Sequence, residues 1–119
     1  MSENTLVQGR TEISEEVIGK IAGMAAMECF GVVGMASRKI SDGIAELLRK
    51  ENLTKGVQIK MDDEKIILDL FLIVAYGIKI SEMALNVQEK VKFNVENMTG
   101  MQVDTVNIHI QGVRIDAEE

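Results

Sequence analysis

The sequence is short of the residues that usually dominate cores and active sites. Its 119 residues include no proline, no tryptophan, one cysteine and one histidine, and aromatic residues make up 3% of the chain. The core therefore has to be aliphatic, built from valine, isoleucine, leucine, alanine and some of the eight methionines. Cys29 has no second cysteine to pair with, which excludes an internal disulfide and suits a reducing compartment such as the cytosol.

Motifs for enzyme chemistry are missing as well. The chain contains no G-x-S-x-G nucleophile elbow, no G-x-x-x-x-G-K-[ST] phosphate loop, and no C-x-x-C or H-x-x-x-H pair for a metal. His109 falls on the polar face of the last predicted strand, whereas Cys29 stands among apolar neighbours. A surface imidazole and a core thiol explain this pair better than a catalytic dyad. We therefore expect a non-enzymatic protein with no catalytic residue, no cofactor and no metal.

The net charge is −6, which argues against binding to nucleic acid because an acidic chain repels phosphate backbones. Gly19 and Gly23 superficially resemble the G-x-x-G loop of KH domains, but they are spaced G-x-x-x-G within a helical pattern. RNA binding is thus a distant third hypothesis for function, behind the two described below. The longest apolar run, residues 70–76, is too short to cross a bilayer, so we expect no direct membrane insertion.

The stretch 65–112 predicts a strand, a helix and a returning strand. Residues 65–76 are hydrophobic at every even position, as expected of a strand with one face in the core. A helix follows from Ser81 to about Met98, and residues 101–112 alternate again. Two strands connected through a helix pair in parallel, so these two should be neighbours. The residues expected to face the core are Ile66, Leu68, Leu70, Leu72, Val74 and Tyr76 on the strand, and Ala84, Val87, Val91, Val95 and Met98 on the helix.

The first half of the chain predicts smaller elements. A short strand at 7–13 precedes a helix from Glu15 to about Glu28, for which Ser14 provides an N-cap. A turn or short extended piece at 30–35 and a second helix at about 42–51 come next. Residues 57–61 then form a hairpin with the strand that starts at Lys65.

These elements predict an α/β fold of the α+β type, with a small mixed sheet and helices packed on one face. Their order is a short strand, helix, helix, hairpin, helix and strand. We expect a loose N-terminus at residues 1–5, a single domain at 6–113 and an acidic tail at 114–119.

Four apolar residues fall where the pattern predicts water-exposed faces. Ile67, Phe71 and Ile73 occupy the odd positions of the long predicted strand, and Phe93 lies opposite the apolar stripe of the third predicted helix. Scattered exposed hydrophobic residues are normal on any protein. Placing two of three phenylalanines in this way nevertheless makes a contact surface an equally good explanation. We take these four residues as the candidate interface.

The sequence also resembles a known family, the alkaline-shock or envelope stress response proteins of Gram-positive bacteria, in its short YloU-like branch. The resemblance covers about residues 7 to 115. Its matching stretches are 12–18 (EISEEVI), 22–23 (AG), 30–35 (FGVVGM), 55–57 (KGV), 76–77 (YG), 87–91 (VQEKV), 98–100 (MTG), 106–108 (VNI) and 111–113 (QGV).

The resemblance implies a cytoplasmic, non-enzymatic protein that self-associates as a scaffold, with membrane association only through an anchor protein. It also implies an alternative, an accessory partner of a dihydroxyacetone-kinase-like fatty-acid kinase. The family supplies no catalytic motif, so no residue here inherits a catalytic role. This chain lacks the long charged tails of the stress-induced members.

Overall fold

The computed structural model of the chain describes residues 14–37, 47–48 and 50–115. The elements of these residues are α1 (Glu15–Met27), β1 (Val32–Met35), a 3-10 helix (Lys50–Gly56), β2 (Val57–Asp62), β3 (Lys65–Ala75), α2 (Ile80–Thr99) and β4 (Gln102–Arg114). The predicted strand at 7–13, the loose N-terminus at 1–5 and most of the predicted acidic tail lie outside the described residues.

The predicted second helix at 42–51 is wrong in the part that can be compared. Residues 42–46 lie outside the described residues, but Leu47 forms an antiparallel bridge with Ala36. The Leu48 N–H donates to the carbonyl of Met35 at 2.8 Å. These hydrogen bonds to the edge of β1 take the place of the bonds of a helical turn. The backbone at Leu47 and Leu48 therefore runs along that edge. The 3-10 helix covers the last two residues of the predicted helix and continues to Gly56.

Local signals set most helix ends. The hydroxyl of Ser14 accepts from the N–H of Val17 at 3.1 Å, which confirms the predicted cap of α1. Gly100 ends α2 in the left-handed conformation at φ 76°, as a glycine can without strain. The helix predicted to start at Ser81 begins one residue earlier, at Ile80. The Lys79 carbonyl already accepts from the Met83 N–H at 3.0 Å, so Ser81 lies inside the first turn.

β3 is the centre of the sheet. β4 runs parallel to it along its whole length, from Lys65 opposite Gln102 to Ala75 opposite Arg114. The other edge of β3 is shared by β2, which pairs antiparallel along 65–70, and by β1, which pairs antiparallel along 72–74. The predicted hairpin, the predicted parallel pair and the mixed sheet are therefore confirmed.

The core lies between one face of this sheet and the two helices. The even residues of β3 from Ile66 to Val74 are fully buried, as predicted. Val87, Val91 and Val95 of α2 are also fully buried against them. α1 contributes Ile18 and a set of small residues, and the small residues let the backbone of α1 pack closely against the core. The buried residues of α1 are Ile18, Gly19, Ala22, Gly23, Ala25 and Ala26.

Two residues predicted to face the core are exposed instead. Tyr76 is 73% exposed, because β3 ends at Ala75 and the chain turns at Gly77, where φ is 88°. Met98 is 69% exposed, whereas Thr99 is buried. The buried row of α2 advances in steps of four residues, and each step turns the row by about 40° around the helix. By the last turn the row has rotated past Met98. Ala84 of the predicted stripe is half-buried.

Candidate functional site: the outer face of the sheet

The face of the sheet that points away from α1 and α2 is here called the outer face. It carries the odd residues of β3, with Gln58 and Lys60 of β2 on one side and Thr105, Asn107 and His109 of β4 on the other. Ile67 and Phe71 are half-buried on this face, so two of the four candidate interface residues lie on it.

Phe71, His109 and Asp69 form a cluster in the middle of the outer face. The rings of Phe71 and His109 stack with their centres 4.6 Å apart and only 13° between their planes. The His109 Nε2 lies 2.9 Å from the Asp69 carboxylate. Because an ionised carboxylate can only accept, Nε2 is the donor in this bond. The parallel register creates this cluster by placing Phe71 opposite His109 and Asp69 opposite Asn107.

The carboxylate of Asp69 is held in its ionised form. Its side chain is 14% exposed, and this partial burial pushes the pKa upward. Hydrogen bonds to His109 and Asn107 and the positive charge of Lys60 push the other way and outweigh burial. The pKa of Asp69 therefore lies below its ordinary value, so the group stays charged at neutral pH.

Ile73, the third candidate on this strand, is not available for contact because only 1% of it is exposed. The pairing of β3 with both neighbours is irregular here, and Ile73 stands opposite Gly34 on one side and Gly112 on the other. The Gln111 side chain donates to the Ser37 carbonyl at 3.4 Å. This bond joins β4 to the end of β1 and so crosses β3 near Ile73. The extra residues at these irregularities lie on β1 and β4, so Ile73 keeps the parity of the outer face; alternation predicts that face but not whether a residue on it is covered.

Phe93, the fourth candidate, lies on a different surface. It is 65% exposed on the side of α2 that points away from the sheet, as its position on the helix predicts. The candidate interface therefore does not form one patch: Ile67 and Phe71 share the outer face, whereas Phe93 lies on the far side of the helix layer.

A third aromatic surface, at the end of the sheet, is not predicted by the sequence pattern. Phe30 is 86% exposed and Tyr76 is 73% exposed. The Ala75 N–H donates to the Gly31 carbonyl and the Tyr76 N–H to the Arg114 carbonyl, both at 2.9 Å, which brings these residues to one end. The signal that could have found this surface is Gly77, whose turn ends β3 one residue before Tyr76.

Cys29 and His109, the pair considered in the sequence analysis as a possible catalytic dyad, do not contact each other. Cys29 lies at the edge of the core, and its thiol contacts the Ala25 carbonyl at 3.6 Å. Partial burial raises the pKa of the Cys29 thiol, and the charge of Lys90 offsets only part of that effect. His109 bonds Asp69 on the opposite face of the sheet. Within the described residues, no three histidine, cysteine, aspartate or glutamate side chains lie close enough together to hold a metal ion.

Comparison with known proteins places the chain in a family. The model of the alkaline-shock protein 23 family, described as having a cell envelope-related function, matches residues 3–115. The chain belongs to this family. This confirms the resemblance to alkaline-shock proteins inferred from the sequence. Neither helix in the described part of this family member has the length and apolar character needed to span a membrane.

Relatives within the family share most of their length with this chain. The uncharacterized protein YloU of Bacillus subtilis (strain 168) is 54% identical over 108 residues, which is 90% of each chain. The uncharacterized protein Spy1614 of Streptococcus pyogenes serotype M6 is 46% identical over 111 residues, 92% of each chain. A more distant relative is a stress response regulator gls24 homolog of Streptococcus pyogenes serotype M3. It is 21% identical over 108 residues, which covers 91% of this chain and 60% of the relative.

Proposed function

We propose that this member of the alkaline-shock protein family is a non-enzymatic cytoplasmic scaffold that self-associates and joins assemblies at the cell envelope through partner proteins. The observation that carries the proposal is the placement of the aromatic residues. The chain has four, and none of them belongs to the core that the described residues form. Phe30, Tyr76 and Phe93 are each more than 60% exposed, and Phe71 is half-buried on the outer face.

Exposed aromatic side chains are typical of protein contacts. Phenylalanine and tyrosine bring large apolar surfaces at a small cost in conformational entropy, and they are enriched at the centres of interfaces. A lone exposed hydrophobic residue needs no explanation, but a chain that keeps all its aromatic residues out of its core does.

The aromatic residues also lie on separate surfaces. Phe71 is on the outer face, Phe93 is on the far side of α2, and Phe30 with Tyr76 is at the end of the sheet. A scaffold needs more than one contact surface, because a chain with one surface stops at a dimer while a chain with two or more can build larger assemblies.

The polar cluster on the outer face supports a non-enzymatic role. Asp69 and His109 resemble two members of a catalytic triad, but a triad also needs a nucleophile within hydrogen-bond reach of the imidazole. Within the described residues, the groups that act on the pair are Phe71, Asn107 and Lys60, none of which is a serine, threonine or cysteine. The hydroxyl of Thr105 is engaged at 3.0 Å with Asp104.

The test is analytical ultracentrifugation of the purified chain over a wide concentration range. A scaffold should sediment as species larger than one chain, in amounts that grow with concentration. Phe93→Glu and Phe71→Glu each place a charge where a partner would have to desolvate it, so at least one of them should weaken association. Lys20→Gln, which makes the chain more negative by the same one unit on the exposed side of α1, is the control and should behave as wild type.

A monomeric wild type at high concentration would contradict the proposal. If that monomer instead copurified stoichiometrically with a kinase-like protein, the accessory role implied by the family resemblance would replace it.

A further inference from the structure

We infer that the outer face of the sheet is the surface on which a second copy of this chain docks, face to face, with the Phe71–His109 stack near its centre. The inference rests on the proposed function and names the surface and the partner for one of its contacts. Because the partner is a second copy of the same chain, the interface would be isologous, with each copy presenting the same residues.

Charge is the first argument for a second copy. The register of β2 and β3 places four charged side chains on the outer face, Lys60, Asp62, Lys65 and Asp69, and β4 adds Asp104, whose carboxylate accepts from the Thr105 hydroxyl. Four of these five charges cancel, so nearly all of the net charge of −6 is carried by the rest of the chain. Two copies of an acidic protein repel each other overall, and they meet at least cost where the facing surfaces are neutral. The helix layer is less suitable, since α1 and α2 contain five acidic and three basic residues.

The state of Asp69 is the second argument. Covering a charged group is costly when its hydrogen bonds to water are lost without replacement. The Asp69 carboxylate already bonds His109 and Asn107 and is 14% exposed, so most of its loss of water has occurred within one chain. A second copy could therefore cover this cluster without stranding an unpaired charge.

Shape is the third argument. The rings of Phe71 and His109 stack with their planes nearly parallel, and the stack adds aromatic contact area beside Ile67. Flat sheet faces pack on one another at about 10 Å separation, as in sandwich folds. Stacked rings near the centre and polar residues such as Lys60 at the sides match the usual arrangement of an apolar core with a polar rim.

The available area predicts how tight the contact is. Along Lys65–Leu70 the face is three strands wide. Strand spacing of about 4.8 Å and a rise of about 3.3 Å per residue give a footprint of roughly 15 by 20 Å. Such a footprint belongs to the small class of interfaces, below about 1,200 Å² in total, which are weak and reversible. Dimers through this face should accordingly form and dissociate with concentration.

The experiment compares three purified full-length chains by sedimentation: wild type, Thr105→Lys and Asn86→Lys. Thr105 is exposed on the outer face opposite Ile67, so a lysine there obstructs the face and gives it a positive charge without disturbing the core. Asn86 is exposed on α2, on the other side of the molecule, and receives the same charge as a matched control. Thermal unfolding of both variants should match wild type, which shows that any change in association is not a loss of fold.

The inference predicts that Thr105→Lys raises the dissociation constant at least about tenfold, equivalent to about 1.4 kcal/mol, while Asn86→Lys leaves it unchanged. If wild type associates and Thr105→Lys associates equally well, the inference is overturned while the proposed scaffold role stays intact. Association lost in Asn86→Lys but kept in Thr105→Lys would move the contact to α2 and overturn it in the same way. A monomeric wild type would overturn both.

Discussion

Replacing Leu70 with alanine tests the assignment of the two sheet faces. Leu70 is fully buried at the centre of β3, where it stands opposite Val57 of β2 and Ile108 of β4. Removing its three terminal carbons loses about 0.8 kcal/mol of burial for each, or about 2.4 kcal/mol. The cavity that remains adds to this, since packed side chains on three strands and two helices can collapse only in part. The expected loss of unfolding free energy is therefore about 2–5 kcal/mol.

Urea unfolding followed by circular dichroism measures that loss, provided that the slope of the transition is the same in both chains. Ile67→Ala is the matched control, because it removes a similar aliphatic side chain from the same strand on the half-buried outer face. It should cost clearly less. A loss below about 1 kcal/mol for Leu70→Ala would refute the reasoning, because a shift of one residue in register exchanges the faces of a strand.

Two other changes test local features. Asp69→Asn should destabilise the chain by about 1 kcal/mol at neutral pH, since it removes the charge that His109, Asn107 and Lys60 stabilise. The pKa of Asp69 is lower in the folded chain than its ordinary value of 3.8, so this contribution is present above about pH 4 and is lost as the pH falls through the lowered pKa. The difference between variant and wild type in unfolding free energy should therefore shrink below about pH 4, and a difference that grows there would show the wrong sign. Ser14→Ala should cost about 1 kcal/mol because the Val17 N–H loses its 3.1 Å partner, whereas Ser14→Asp should restore most of it. Equal melting temperatures for Ser14→Ala and wild type would show that this cap does not contribute.

The regular parts of the fold could be predicted because their signals are local and repeated. Five consecutive even positions of β3 are buried as the period of two predicts. The ends of α1 and α2 follow from Ser14 and Gly100, whose side chain and backbone freedom act on adjacent residues.

The errors occur where an element ends or where its geometry is irregular. Tyr76 has the right parity for the core but comes after the last strand residue. Ile73 has the parity of the outer face but lies at a bulge and is covered. Parity predicts a face only as far as the strand continues, and it does not say whether a residue on that face is covered.

The polar cluster could not be predicted because it depends on register. Asp69 and His109 are 40 residues apart, and only the alignment of β3 with β4 brings them to 2.9 Å. The one signal in the sequence is an aspartate within an otherwise apolar strand, which indicates that a partner exists without saying which residue it is.

The central claim is that this alkaline-shock family chain is a self-associating scaffold, and the average mass of the purified wild-type protein in solution tests it most directly. Light scattering over a dilution series should give a mass above that of one chain at high concentration, falling reversibly toward one chain on dilution. A mass of one chain at every concentration would contradict the claim.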